Sequence, residues 1–167
     1  MLRGEFTDMR KISILTICPE MFAGFEKNHV IERAVSLELL SLRIVDIRDY
    51  AQGSYRQVDD SPYGGGAGMI IRVAPVVAAI RDVTAGEERD KVCVAVLTPT
   101  GTRYDQGEAG AMLSYEHLVL VCGHYEGLDA RIYAYADRLL SIGDYILSGG
   151  EIAAMAVADS VVRLYPG

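Results

Sequence analysis

The sequence predicts an α/β domain built on a parallel sheet. Two runs carry that reading: KVCVAVL at residues 91 to 97 and HLVLVC at 117 to 122. Both are short, nearly unbroken apolar stretches rich in β-branched residues, the pattern of strands covered on both faces. Stretches of helical periodicity lie between and around them, and buried strands separated by helices make a parallel sheet.

Taken in order, KISILTI (11 to 17) is expected as the first strand. It runs into a helix opened by Pro19 and Glu20, since proline suits the first helical turn. HVIERAVSLELL is amphipathic with a helical period, and LSLRIVDI (40 to 48) alternates as a strand. Residues 49 to 68 are polar and glycine-rich with no period. VAPVVAAIRDVTA reads as a helix, with Pro75 near its start and Gly86 past its end. The strand at 91 to 97 leads through a turn, Thr98-Pro99-Thr100-Gly101, into a helix over about 104 to 114. After the strand at 117 to 122 come a helix near 129 to 137, a short strand at 139 to 142 and a final helix over about 151 to 165. There is no internal repeat and no low-complexity tract.

A chain of 167 residues fits one domain and can bury a core without covalent staples. Its longest apolar runs are too short to span a bilayer. The start, MLRGEFTDMRK, is not a secretory signal, so the expected location is cytoplasmic, with no membrane partner. Cys18, Cys93 and Cys122 cannot all pair and include no C-x-x-C unit; each is expected as a small buried hydrophobe beside a strand. His29, His117 and His124 show no metal-ligand spacing, so no metal site is expected. The net charge of −7 argues against a nucleic-acid coat. An acidic chain binds RNA only through a local basic surface or with a segment lying elsewhere, because phosphates must be neutralised by Lys and Arg.

Ligands of open parallel sheets bind at the carboxyl ends of the strands. Three glycine-bearing segments follow such ends: Leu97 to Gly101, Gly123 to Gly127, and Ser141 to Gly150. Glycines let the backbone approach a ligand and offer it N–H and C=O groups. Any one loop alone reads as a tight turn; three together favour a shared site that reads an adenine edge through main-chain groups. Tyr125 and Tyr145 could stack on a ligand ring, although each singly reads as a core or rim aromatic. Neither G-x-x-x-x-G-K-[ST] nor G-x-G-x-x-G after the first strand is present, which argues against P-loop and dinucleotide folds. A fourth segment, VDDSPYGGGAGM at 58 to 69, is expected as an active-site flap or a loop touching a partner.

Several motifs carry a resemblance: Pro19-Glu20-Met21-Phe22, VDDSPYGGGAGM, LTPTG, LVLVCGHYEG with Asp129 and Arg131, SIGDYILSGGE, and Asp159-Ser160-Val161 with Arg163 and Pro166-Gly167. In this order, from about residue 11 to the last, the sequence resembles the bacterial tRNA (guanine-N1)-methyltransferases. These are SPOUT methyltransferases that modify the guanine 3′ of the anticodon, at position 37. The resemblance implies a parallel-sheet α/β fold with a deep C-terminal trefoil knot, and a cofactor, S-adenosyl-L-methionine. Its contacts would be Leu97, Thr98, Pro99, Gly101, Gly123, Tyr125, Glu126, Gly127, Ser141, Ile142, Gly143, Asp144, Tyr145, Ile146, Leu147, Gly149 and Gly150. Glu126 would lie near the sulfonium, where a carboxylate suits a cation. Asp59, Asp60, Tyr63, Gly64, Gly65, Gly66 and Met69 would face the guanine, and Ala67 stands where the family usually has proline.

Arg163 is the match for the family's catalytic arginine; without the resemblance it reads as a solvated charge late in a helix. The resemblance further implies a tRNA substrate and a homodimer whose active sites draw on both subunits. It also implies a general-base aspartate and a helical tRNA-binding domain lying past residue 167, so that this chain alone is inactive or crippled. Residues 1–10 are expected as an extension or an expression remnant, and 11–167 as the cofactor-binding domain. Mg2+ dependence and the choice of tRNA are left open. Two alternatives stand beside this reading: another SPOUT RNA methyltransferase, and a non-catalytic nucleotide-binding module.

Overall fold

Alternation along the strands decides the architecture. In the computed structural model, which describes residues 8–60, 69–124 and 126–167, five strands are β1 (Arg10–Thr16), β2 (Leu40–Asp46), β5 (Val92–Arg103), β6 (His117–Cys122) and β7 (Arg138–Ser141). They form one sheet in the order β2-β1-β6-β5-β7, and every pairing in it is parallel. β6 lies at the centre and all six of its residues are buried.

Leu118, Leu120 and Cys122 share one face with Ile12, Ile14, Cys93, Ala95 and Leu97. That face is covered by α1 (His29–Ser36), α3 (Gln106–Met112) and α4 (Glu151–Val162). Val119 and Val121, with Leu15, Val92, Val94 and Val96, face the other way and pack against α2 (Val73–Val83). The nearly continuous apolar runs are thus strands buried between two helical layers, and each fully buried Leu or Val contributes about 1.5–3 kcal/mol. A further pair, β3 (Asp59–Asp60) and β4 (Ile70–Ile71), forms a short antiparallel ladder. No helix among the described residues is long and apolar enough to cross a membrane.

The differences from the sequence-based expectations have local causes. The helix expected through Leu40 stops at Ser36, because Glu38 adopts φ 57° and the Leu39 N–H donates to the Ala34 carbonyl at 2.9 Å. This left-handed cap frees Leu40 to pair with Arg10 in the sheet. The segment opened by Pro19 is a single 3-10 turn, Pro19–Phe22. The helix expected near 129 to 137 is instead a 3-10 helix, Ala130–Tyr135, capped by the Asp129 carboxylate at the Arg131 N–H. It ends because Asp137 is taken by other partners: its carboxylate accepts from Val94 N at 2.7 Å and from Arg89 at 2.6 Å. The turn expected at 98 to 101 interrupts the β5–β7 ladder, and strand pairing resumes beyond it. Leu97 and Thr102 both pair with Leu140, and a Cβ at Gly101 would stand 2.6 Å from Leu139 C and Leu140 N.

Candidate active site

The carboxyl ends of β5, β6 and β7 lie side by side, so the segments leaving them meet. They enclose a hollow of about 310 Å3, at the lower end of the range for small-molecule sites. Leu97, Thr98 and Pro99 line it from the first segment, and Gly123, Glu126 and Gly127 from the second. Ser141, Ile142, Gly143, Tyr145, Ile146, Leu147, Gly149 and Gly150 line it from the third. Gly101 and Asp144 are not in its wall; Gly101 is pressed against the backbone of β7 instead. Tyr125 lies outside the described residues. Sequence reasoning missed six lining residues: His124, Leu128, Tyr133, Leu140, Ser148 and Ala153. His124 and Ser148 stood inside quoted motifs and could have been taken with them. The other four reach the hollow only through packing.

Close approach explains Gly149 and Gly150. The Gly150 N–H donates to the Gly123 carbonyl at 2.8 Å, and His124 and Gly149 form an antiparallel bridge. A Cβ at Gly150 would lie 2.9 Å from Cys122 Cα, and one at Gly149 would lie 2.7 Å from His124 Cδ2. Gly127 adopts φ 118°, a conformation that side chains resist. At the mouth, Tyr145 and Ile146 are 54% and 80% exposed, so apolar surface is available to a ring or a partner.

The β3–β4 pair is tied to this hollow. Glu126 N donates to the Met69 carbonyl, Ile71 N to Gly127, and Asp129 N to Ile71, each at 3.1 Å. Asp60 forms an ion pair with Arg72 at 3.3 Å. Asp59, Asp60 and Met69 are therefore held in one unit with the exposed Glu126. Tyr63, Gly64, Gly65, Gly66 and Ala67 lie outside the described residues. Arg163 is elsewhere: it caps the far end of α4 and lines a second groove with His29, Arg33 and Tyr165. Ten residues separate it from Ala153 in the wall, which places it about 15 Å along the axis from the hollow.

The titratable groups divide by environment. Hydrogen bonds from Arg131 hold the Asp129 carboxyl below the usual carboxylate range. Burial pushes the Cys93 thiol up to about 11 and raises Cys122 well above its ordinary value, so neither is a nucleophile. Burial and the nearby Glu151 raise the Cys18 thiol as well; it is half-buried, and atoms of Cys18, His124 and Glu151 lie within 4.8 Å of one another. Positions 18, 124 and 151 carry no local spacing that could have announced this. At the opposite ends of β1 and β6, His117 bridges Ser13 at 2.9 Å and Glu87 at 2.7 Å.

Comparisons with known proteins agree with one another. A family model described as tRNA (Guanine-1)-methyltransferase TrmD matches residues 10–167. A protein of Malacoplasma penetrans named tRNA (guanine-N(1)-)-methyltransferase is 46% identical over 156 residues, 93% of this chain and 67% of its own length. One of the same name from Listeria monocytogenes is 47% identical over 159 residues, 94% of this chain and 64% of its own. Another, from Moorella thermoacetica, is 44% identical, with 94% and 63% covered. The crystal structure of tRNA (m1G37) methyltransferase from Aquifex aeolicus superposes with a TM-score of 0.86 at 32% identity, over 96% of this chain and 72% of that one. The chain thus spans about two thirds of the length of the curated relatives it matches.

Proposed function

Because the chain belongs to the tRNA (guanine-N1)-methyltransferase family, we propose that its hollow binds S-adenosylmethionine for methyl transfer to N1 of guanine 37 in tRNA. The observation that carries this is the meeting of three glycine-bearing strand ends around one hollow of about 310 Å3. The wall fits the group. Leu97, Leu128, Leu140 and Ala153 supply apolar surface for a nucleoside, and the loop backbone at 97–99, 123–127 and 141–150 borders it. When bound, S-adenosylmethionine supplies an electrophilic methyl group on a sulfonium.

The residues of the chain do the rest. Glu126, in the wall of the hollow, would offer a carboxylate to the cationic sulfur. Asp59, Asp60 and Met69, joined to the Glu126 segment through the β3–β4 ladder, hold the guanine side. Guanine N1 is a poor nucleophile until its proton leaves to a carboxylate base. Negative charge then builds on O6, and a guanidinium placed there stabilises it. Arg163 takes that role from a second protomer, because in its own protomer α4 carries it away from the hollow. The double pairing of Leu140 with Leu97 and Thr102, and the close approach of Gly101, support a knotted path in which β7 passes through the 97–102 segment. Cytoplasmic tRNA is the substrate.

Calorimetry tests the cofactor assignment: S-adenosylmethionine binds at one site per chain, while ATP and NAD do not. Binding of ATP or NAD in its place would favour a nucleotide-binding module instead. Transfer of a labelled methyl group to tRNA tests the substrate: at most slow residual transfer to guanine 37 is expected of this chain, and none to a tRNA with adenine at that position.

A further inference from the structure

Three side chains distant in sequence meet beside the hollow: Cys18 after β1, His124 after β6 and Glu151 in the first turn of α4. Their ligand atoms lie within 4.8 Å of one another. We propose that Cys18, His124 and Glu151 form a three-ligand site for a borderline transition-metal dication, Zn2+ or Co2+. The site is separate from the methyl-transfer reading and stands or falls without it.

The case starts from Glu151, which is 1% exposed. The Thr16 hydroxyl donates to its Oε1 at 2.8 Å, and among the described residues no lysine or arginine pairs with it. The amino end of α4 compensates a carboxylate in part, but a buried anion gains most from a full counter-charge. A dication bound by the Cys18 thiolate and the Glu151 carboxylate gives a neutral site, with the imidazole as third ligand. Binding transfers the Cys18 thiol proton to solvent, one proton per metal. A set of sulfur, nitrogen and carboxylate ligands suits Zn2+ and Co2+; Mg2+ prefers oxygen alone.

Geometry agrees. Bonds of about 2.0 to 2.3 Å in a tetrahedral site put the ligand atoms about 3.5 Å apart, which a small rotamer adjustment of Cys18 or His124 supplies. The frame beneath them is fixed by the β1–β6 pairing, the His124–Gly149 bridge and the Gly150 to Gly123 hydrogen bond at 2.8 Å. Rigid elements of this kind hold a site to tolerance. His124 also lines the hollow, so the fourth coordination position opens towards it.

Titration of the chain with Co2+ should produce a thiolate-to-cobalt charge-transfer band that saturates at one equivalent. Zn2+ abolishes the band by displacement and Mg2+ does not. Cys18→Ser removes the band and weakens Zn2+ binding about 100-fold or more, since even indirect supports of a metal site are worth 10–100-fold. Glu151→Gln disturbs α4, so a second measurement uses the unsubstituted chain: Zn2+ slows alkylation of Cys18 while Cys93 and Cys122 stay unreactive in both states. A chain that shows no band, a band that survives Cys18→Ser, or equal alkylation rates with and without Zn2+ would overturn the proposal.

Discussion

Replacing Gly101 with alanine tests how tightly the first segment is locked onto β7. The added Cβ would stand 2.6 Å from Leu139 C, 2.6 Å from Leu140 N and 2.7 Å from Leu139 O. All three are backbone atoms of a paired strand, so no side chain can rotate away; the 97–102 segment or β7 must shift. Overpacking typically costs about 1–3 kcal/mol, and the backbone clash places this substitution at the upper end. For a chain of this size each kcal/mol moves Tm by about 2–4 °C, so Gly101→Ala should melt about 6–12 °C below the parent. Gly110→Ala is the matched control. It sits inside α3, where an added methyl would meet nothing within 4 Å, and alanine there should stabilise by about 0.5–1 kcal/mol. Differential scanning calorimetry of the two variants gives opposite signs. A Gly101→Ala chain melting within about 2 °C of the parent would refute the close packing of the two segments.

Four other outcomes are expected. Gly123→Ala adds a methyl 3.5 Å from Leu128 Cγ, an ordinary contact, so Tm should hold in a thermal scan while calorimetric affinity for S-adenosylmethionine falls about tenfold, or about 1.4 kcal/mol. Thr16→Val strips the hydroxyl from the buried Glu151 and the acceptor from Cys18 N, and urea unfolding should show a loss of about 1–3 kcal/mol. Burial lowers the His117 pKa, outweighing its hydrogen bond to Glu87. The unfolded chain therefore takes up a proton first as pH falls: stability is full above about pH 6.5 and declines below it until the folded histidine titrates. His117→Gln should flatten that decline in Tm measured against pH. Arg163→Ala should further reduce the residual methyl transfer expected of this chain and leave cofactor affinity unchanged by calorimetry, since the residue lies outside the hollow.

The central strands and the three glycine segments were legible because burial on both faces leaves an apolar run, and close approach leaves a glycine. Val92 to Leu97 and His117 to Cys122 needed only composition to be recognised. The 3-10 helix at Ala130–Tyr135 was not, since its end depends on Asp137 reaching Val94 N across the sheet. The early end of α1 was hidden for a different reason: Glu38 takes a left-handed conformation without being glycine. In the candidate site, Leu140 and Ala153 enter the wall through packing, which no spacing encodes. The meeting of Cys18, His124 and Glu151 follows from the strand order β1-β6 and the start of α4, so it became visible only in three dimensions.

The anchoring of Met69, Ile71 and their ladder on residues Glu126 to Asp129 has a mechanical corollary. Main-chain bonds at 3.1 Å from Met69 and Ile71 to Glu126, Gly127 and Asp129 let neither strip slide without dragging its neighbour. A displacement of the Glu126 turn is thereby passed to the acidic pair Asp59 and Asp60, and a load on that pair is passed back to the turn. Any coupling between the two sides is therefore mutual, and amide exchange at Ile71, whose N–H donates to the Gly127 carbonyl, is where it would be read.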